Sequence, residues 1–349
     1  MGLSKQNYVV DGEYLAFTIW TTSYCNFNCK YCYETENKPS NYMDRETADK
    51  VFAYIRRQAK NSDKKSLWIG FHGGEPMLNT GIIKYFLDMF EADDEITYFT
   101  SMTTNGSVMD EDIINRISEV SVSLDGAKES HNKNRITRNG EGTYDLIIGN
   151  IKKIMEIKNN DIRLRMVVTP DNTEDFFDNV MYAASLGFTM IVPCIDFFNK
   201  DWNDEKFRLL YDEAIRIKEY RQENWSDKNI RIAIIDDQVK RMGDCEIGID
   251  GFQIGVDGSL YHCMYTANDP SYSIGNIFDG IDESIAEEVN CLNRKKPEEC
   301  NGCTYQPYCI TQRCLILNKL TTGNYYEPSP VICKYEWLKL KLKGVNVRL

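Results

Sequence analysis

Three cysteines within one short stretch, Cys25-Asn26-Phe27-Asn28-Cys29-Lys30-Tyr31-Cys32, have the residue types and spacing to do chemistry. Thiolates spaced x3 then x2 can wrap a short loop around one corner of a cubane. They would ligate three irons of a 4Fe–4S cluster and leave the fourth without a protein ligand. A fourth cysteine would close such a cluster into an electron carrier, whereas an open iron can bind and reduce a small molecule. Structural zinc wants four ligands and usually two Cys-x2–4-Cys pairs, so the triplet suits zinc poorly. Three further short runs follow apolar stretches: His72-Gly73-Gly74-Glu75-Pro76, Thr103-Thr104-Asn105-Gly106 and Ser123-Leu124-Asp125-Gly126. The paired glycines let a backbone approach a ligand closely, and Glu75 adds a negative charge. Asn-Gly alone reads as a turn.

Together these residues resemble the radical S-adenosylmethionine (radical SAM) enzymes, whose signature is Cys-x3-Cys-x2-Cys with an aromatic residue before the last cysteine. Tyr31 fills that place. The resemblance implies that the methionine end of the cofactor chelates the open iron, and that one electron then releases a 5′-deoxyadenosyl radical. It makes Cys25, Cys29 and Cys32 the ligands of the cleaving cluster, and Tyr31, Gly73, Gly74, Glu75, Asn105, Ser123 and Arg135 the cofactor-binding residues. Gly73-Gly74-Glu75 would take the methionine ammonium and Ser123 the ribose or carboxylate. Arg135 would grip the carboxylate in the bidentate manner lysine cannot reproduce. His131 is read as structural.

A second cysteine group follows: Cys245, Cys263, Cys300, Cys303, Cys309, Cys314 and Cys333. With Gly258-x4-Cys263, this order resembles the SPASM extension of the same enzymes. The resemblance implies two auxiliary 4Fe–4S clusters, making three in all. Cys300, Cys303, Cys309 and Cys333 would ligate the distal one, and Cys245, Cys263 and Cys314 the nearer one. Two departures matter. The step from Cys309 to Cys314 is x4 rather than x3, and one cysteine stands before Cys263 where some relatives have two. The nearer cluster is then open at one iron, or closed by Asp244, Asp250 or another group. Cys194 and Cys291 have no assigned partner and read as buried thiols. A two-zinc reading of this region is the alternative, because Cys-x2-Cys pairs also suit zinc.

The surroundings agree with that chemistry. Twelve cysteines, with no apolar h-region in Met1–Glu13, indicate metal ligands in a reducing cytoplasm rather than disulfides. Met1-Gly2 is no myristoylation signal because position 6 is Gln. The net charge of −12 argues against nucleic acid or an anionic membrane as partner, and no apolar run approaches membrane-spanning length.

The elements that must position these residues alternate β and α. Strands are expected at Tyr14–Trp20, Leu67–Phe71, Glu95–Thr103, Val120–Leu124, Ile162–Val168 and Phe188–Ile195. Helices are expected at Asp44–Ala59, Gly81–Phe90, Asp110–Ile117, Tyr144–Ile157, Asp175–Ser185 and Asp204–Glu223. Six β/α units predict an α/β fold, a partial (β/α)6 TIM-like barrel over residues 1–223, with the motifs at the C-terminal strand ends where such barrels react. Residues 224–349 form the cysteine-rich SPASM extension. There Ile230–Ile235 reads as β, Phe252–Val256 and Leu260–Cys263 as a hairpin around Asp257-Gly258, Ser273–Ile277 as a strand, and Asp282 as the start of a short helix.

The leading functional reading is a maturase that oxidatively cross-links a ribosomally made precursor peptide, most directly by a cysteine sulfur-to-carbon thioether at an open auxiliary iron. Flavodoxin or ferredoxin would supply electrons. Anaerobic sulfatase maturation to formylglycine is the second reading. The acidic base expected directly after the Gly-x4-Cys cysteine is replaced by Met264, which weakens it. Carbon–carbon cross-linking and epimerisation stay open. A non-catalytic zinc or iron–sulfur module is the reading from another class, and it needs no Gly73-Gly74-Glu75 turn. Peptide maturases often carry an N-terminal leader-recognition domain of roughly 80 residues. The few residues before the first strand do not provide one, so a leader is expected to bind elsewhere or through a separate protein, or to be absent.

Overall fold

The computed structural model describes residues 14–34, 40–62, 65–225, 228–240, 251–285, 287, 295–311 and 313–346. Its frame is one open sheet of eleven strands. Seven of them run in chain order: β1 (Leu15–Thr22), β2 (Ser66–Gly73), β3 (Thr97–Thr104), β4 (Glu119–Ser123), β5 (Arg163–Val168), β6 (Met190–Ile195) and β7 (Arg231–Ile232). All neighbours among these seven are parallel. Parallel strands require crossover segments. These are helices α1 (Arg45–Asn61), α2 (Thr80–Ala92), α3 (Glu111–Arg116), α4 (Lys128–Asn134), α5 (Tyr144–Ile157), α6 (Phe176–Ser185) and α7 (Asp204–Asn224). Asp44, Asp110 and Asn203 cap α1, α3 and α7 by accepting from backbone N–H groups of the first turn. The expected (β/α)6 arrangement is therefore present, with the six strands each within a few residues of their expected bounds.

The sheet's two faces differ, as period-two strands require. Phe17, Ile19, Leu67, Ile69, Phe71, Val120 and Leu164 are buried under the helices, against Val51, Ile83, Phe86, Ile151 and Val180. The opposite face carries small and polar groups. Trp68 Nε1 donates to Ser101 Oγ at 3.0 Å, and Gly70 faces the Ser101 and Thr18 hydroxyls. Near the N-terminal strand ends Arg163 pairs with Glu119. That polar face leads to the C-terminal strand ends.

The C-terminal region adds to the same sheet. Strand β8 (Gly251–Ile254) lies parallel to β1, and β9 (Ser259–Tyr261), β10 (Ser273–Asn276) and β11 (Gly280–Ile281) continue antiparallel beyond it. The expected hairpin is thus β8–β9. The end of α7 divides the chain in sequence while one sheet spans both parts. Two local differences have physical causes. Only Arg231–Ile232 of the expected Ile230–Ile235 strand is extended, and Ala233–Asp236 is a helical turn, α8. There Asp236 accepts the Ile232 N–H at 2.7 Å and pairs with Arg221, removing a donor the ladder would need. Helix α4 was not expected, because its buried residues are polar: Ser130, His131 and Asn134. Two further helices, Leu315–Thr322 and Pro330–Leu342, complete the chain. The second rests on the barrel through Tyr335 against Phe197, and through its Leu342 carbonyl, which accepts from Lys218. Among the described residues no helix is long and apolar enough to cross a membrane.

Candidate active site

The cysteine loop leaves β1 at its C-terminal end and is clamped from two sides by backbone hydrogen bonds. From β2, Gly74 N donates to Thr22 O and Glu75 N to Tyr24 O, at 3.1 and 3.0 Å. From the end of α4 and the chain just after it, the carbonyls of Asn134 and Ile136 accept from Lys30 N and Asn28 N at 3.0 and 2.8 Å. The approach to β2 is so close that a Cβ on Gly74 would stand 2.5 Å from Tyr24 O and 2.7 Å from Cys25 N. The Gly-Gly-Glu run therefore seats the cysteine loop.

Cys25 and Cys29 are half-buried and Cys32 is exposed. Hydrogen-bond donors surround the sulfurs: Phe27 N lies 3.4 Å and Asn105 Nδ2 3.8 Å from Cys25 Sγ, and Arg135 Nη1 lies 3.9 Å from Cys29 Sγ. Burial nevertheless pushes the Cys25 thiol up to about 12 and the Cys29 thiol up to about 11. Two such neighbouring thiols deprotonate together only against a strongly cationic centre, as metal ligation does. The donor set therefore fits an iron–sulfur cluster, with N–H groups already placed to stabilise its sulfurs.

Glu75 is buried, with Oε1 accepting from Met77 N and the Thr104 hydroxyl at 3.0 and 2.7 Å, and Oε2 from Asn105 N at 2.6 Å. Burial outweighs these bonds and pushes its carboxyl up to about 7. Glu75 thereby fixes the Thr104-Asn105 turn, whose Asn105 amide donates to Asn26 Oδ1 at 3.0 Å. Ser123 is buried at the neighbouring end of β4. Glu75, Asn105 and Arg135 are thus tied to the cysteine loop, and Ser123 ends the strand beside it.

Sequence reading passed over Asp125. It is fully buried. Its Oδ1 accepts from Val167 N at 2.9 Å, and its Oδ2 accepts from Tyr31 Oη at 2.5 Å and Arg135 Nε at 3.1 Å. The Arg135 guanidinium also lies 5.3 Å from the Tyr31 ring centroid. The one available signal was the strand-end Asp-Gly pair, which by itself reads as a turn.

His131 is structural, as expected. It is fully buried, its Nδ1 accepts from Asp125 N at 3.3 Å, and its Nε2 lies 3.0 Å from Thr143 Oγ1. Since the Thr143 hydroxyl donates to Arg135 O, it accepts from Nε2–H, which fixes the neutral tautomer. Burial lowers the His131 pKa to about 4. The unfolded chain takes up this proton near pH 6.5 and the folded one only near 4. The stability from neutral His131 is therefore full above pH 6.5 and lost as pH falls toward 4, on the order of 3 kcal/mol. Glu75, with its raised value, acts in the opposite sense between pH 4.5 and 7. The expected result is thus a signed difference: the urea midpoint at pH 5, taken relative to that at pH 7, should be higher in His131→Gln than in the unaltered protein.

The later cysteines gather in two neighbourhoods. Cys300, Cys303, Cys309 and Cys333 line one cavity of about 470 Å³, with Thr311 and Glu336. The Thr311 hydroxyl lies 2.8 Å from Cys309 Sγ and 3.8 Å from Cys333 Sγ. A hydrogen bond from Cys333 pulls the Cys309 thiol down, and Cys333 is pushed up by the same contact. In the second neighbourhood, the Tyr265 phenol is held above its usual range mainly by burial, then by the thiols of Cys194, Cys314 and Cys263. Cys194 at the end of β6 therefore shares surroundings with two of the expected near-cluster cysteines. Cys245, Asp244, Asp250 and Cys291 lie outside the described residues. Tyr33, directly after Cys32, meets Tyr265 edge-on at 5.0 Å between ring centroids, joining the first loop to this region. Among the described residues no three His, Cys, Asp or Glu side chains converge tightly enough for a single metal ion.

Comparison with known proteins follows the same lines. Residues 20–182 match the Radical SAM superfamily. A cysteine-type anaerobic sulfatase-maturating enzyme of Clostridium novyi is 26% identical over 329 residues, covering 82% of this chain and 84% of that one. Two solved structures share the fold. The structure of anSMEcpe with bound AdoMet and Kp18Cys peptide superposes with a TM-score of 0.76 at 19% identity, over 94% of this chain and 96% of the other. Streptococcus suis SuiB bound to precursor peptide SuiA gives 0.65 at 16% identity, over 92% and 76%. With a domain match that begins just before the cysteine loop and ends beyond Arg135, on a barrel of this architecture, the chain carries a radical SAM domain over residues 20–182 and is an enzyme.

Proposed function

We propose that this enzyme is a peptide maturase that oxidatively installs a cross-link, most directly a thioether between a cysteine sulfur and a carbon of the same peptide. The radical SAM domain implies a 4Fe–4S cluster and S-adenosylmethionine, and in this reading Cys25, Cys29 and Cys32 hold the cluster. When bound, the cluster supplies the electron that cleaves the cofactor's sulfonium bond. Gly73, Gly74, Glu75, Asn105, Ser123 and Arg135 bind and orient the cofactor's methionine and ribose, with Tyr31 beside them. Cys300, Cys303, Cys309 and Cys333 are assigned to a distal auxiliary cluster, and Cys263 and Cys314, with Cys245, to a nearer one. Residues 224–349 are accordingly read as a SPASM extension. An electron carrier such as flavodoxin or ferredoxin is the proposed donor, and the cytoplasm the proposed location.

One observation carries the thioether reading. The Cys263 and Cys314 thiols both bear on the Tyr265 phenol, and the position after Cys263 is Met264, which offers no proton acceptor. A site with three thiolate ligands and no carboxylate base directly after Cys263 is suited to seat a substrate thiolate beside a carbon radical. The second reading, formylglycine formation on a sulfatase, is favoured by the likeness to the Clostridium novyi enzyme along most of both chains.

The two predict different products. Anaerobically reconstituted protein should be treated with S-adenosylmethionine, dithionite and one of two probes. These are a cysteine-containing peptide encoded beside its gene and a sulfatase-derived cysteine peptide. A loss of two hydrogens with no alkylatable thiol, mapped by tandem mass spectrometry to an S–C bond, is the expected result. A hydrazide-reactive aldehyde on the sulfatase peptide alone would move the assignment to formylglycine. Nucleoside release with both peptides unchanged would overturn both.

A further inference from the structure

We propose that Asp125 is a positioning residue that locks the cysteine loop and Arg135 into one working arrangement. The inference rests on the radical SAM chemistry of this domain and holds whichever peptide is modified.

Four segments meet at this carboxylate: the turn after β4, which carries it; β5, through Val167 N; the end of α4, through Arg135; and the cysteine loop, through Tyr31. Tyr31 stands between Cys29 and Cys32. Holding its ring therefore fixes the backbone that sets the spacing of those two sulfurs. The same Oδ2 atom orients Arg135, whose guanidinium reaches toward Cys29 Sγ. The Tyr31 hydroxyl donates to Oδ2 and adds no charge to the contact. Asp125 and Arg135 then form a neutral, buried pair. Such a pair is weak support for stability and is best understood as fixing geometry. Gly126 fits the same purpose. Its φ is +126°, and a Cβ there would overlap the Asn179 side chain, so the chain turns directly after Asp125 in one way only.

The test compares Asp125→Asn, Tyr31→Phe and the double variant. The first keeps the shape and removes the charge, and the second removes one hydroxyl. In metal-free protein, amide exchange across residues 25–34 should quicken about tenfold in Asp125→Asn and less in Tyr31→Phe. In reconstituted protein, 5′-deoxyadenosine release should fall by roughly 10–100-fold in Asp125→Asn at near-normal iron content, since misplacement by about 1 Å costs that much. The S-adenosylmethionine-induced change in the reduced cluster's EPR spectrum should weaken in parallel. The double variant should be no worse than Asp125→Asn by more than about twofold, the mark of residues acting through one contact. Unchanged exchange in both single variants would overturn the inference, as would iron loss matching the activity loss. If Asp125→Asn does not fold, Tyr31→Phe decides alone: faster exchange supports the inference and wild-type exchange ends it. If the unaltered protein releases no nucleoside, the radical chemistry fails, and the exchange experiment still decides the role of Asp125.

Discussion

Replacing Cys29 with alanine is expected to reduce 5′-deoxyadenosine release to the level of a protein-free control while leaving the barrel folded. The two halves of this expectation have separate causes. Folding does not depend on the thiol, because the loop is held by backbone bonds from Asn28 and Lys30 to the end of α4 and the chain just after it, and from Glu75 to Tyr24. The sulfur itself is half-buried and meets Arg135 at 3.9 Å. Removing it leaves two thiolates, too few to hold three irons of a cubane. Cys25→Ala and Cys32→Ala should behave alike. The same change at Cys303 should leave nucleoside release measurable, because Cys303 lines the separate cavity shared with Cys300, Cys309 and Cys333. The measurements are iron per chain, thermal unfolding by circular dichroism, and nucleoside release under dithionite. If Cys29→Ala still releases nucleoside, the proposed cluster ligation is wrong. If it unfolds, the structural account of the loop is wrong.

The contrast between these cysteine groups reflects what a sequence exposes. Spacing within a loop is local, so the grouping of Cys25, Cys29 and Cys32 was legible, as was that of Cys300, Cys303 and Cys309. The β/α order was also legible, because apolar strands alternate with amphipathic helices and aspartates stand at helix starts, as Asp44 and Asp110 do. Contacts between distant segments were not. Asp125 acquires its role only when Tyr31, 94 positions away, is brought to it. Cys194 looked like an unassigned buried thiol until β6 placed it near Tyr265. Helix α4 has no apolar stripe to detect, since Ser130, His131 and Asn134 are buried through hydrogen bonds rather than hydrophobicity. The parallel pairing of β8 with β1 was equally hidden: period-two patterning fixes which face a strand buries but not which strand it joins.

Close approach of backbone to backbone leads to the second large effect. Gly74→Ala is expected to destabilise the protein by about 3 kcal/mol, the upper end for overpacking, and to lower iron uptake as well. A methyl group at this position would stand 2.5 Å from both the Tyr24 carbonyl carbon and its oxygen, and 2.7 Å from Cys25 N. All three are main-chain atoms, so no side-chain rotation relieves the contact. Either β2 withdraws from β1, breaking the Gly74–Thr22 and Glu75–Tyr24 bonds, or the cysteine loop shifts at Cys25. Both displace Cys25, which is why stability and iron content should fall together. Gly81, at the start of α2, is the control, because a Cβ there meets nothing within 4 Å. Gly81→Ala should be neutral or stabilising by up to about 1 kcal/mol through helix propensity. Thermal unfolding of the metal-free proteins, read beside iron per chain after reconstitution, separates the two positions. Equal behaviour of the two variants would mean that the Gly-Gly-Glu turn does not seat the cysteine loop, and its glycines would then need a role toward the cofactor alone.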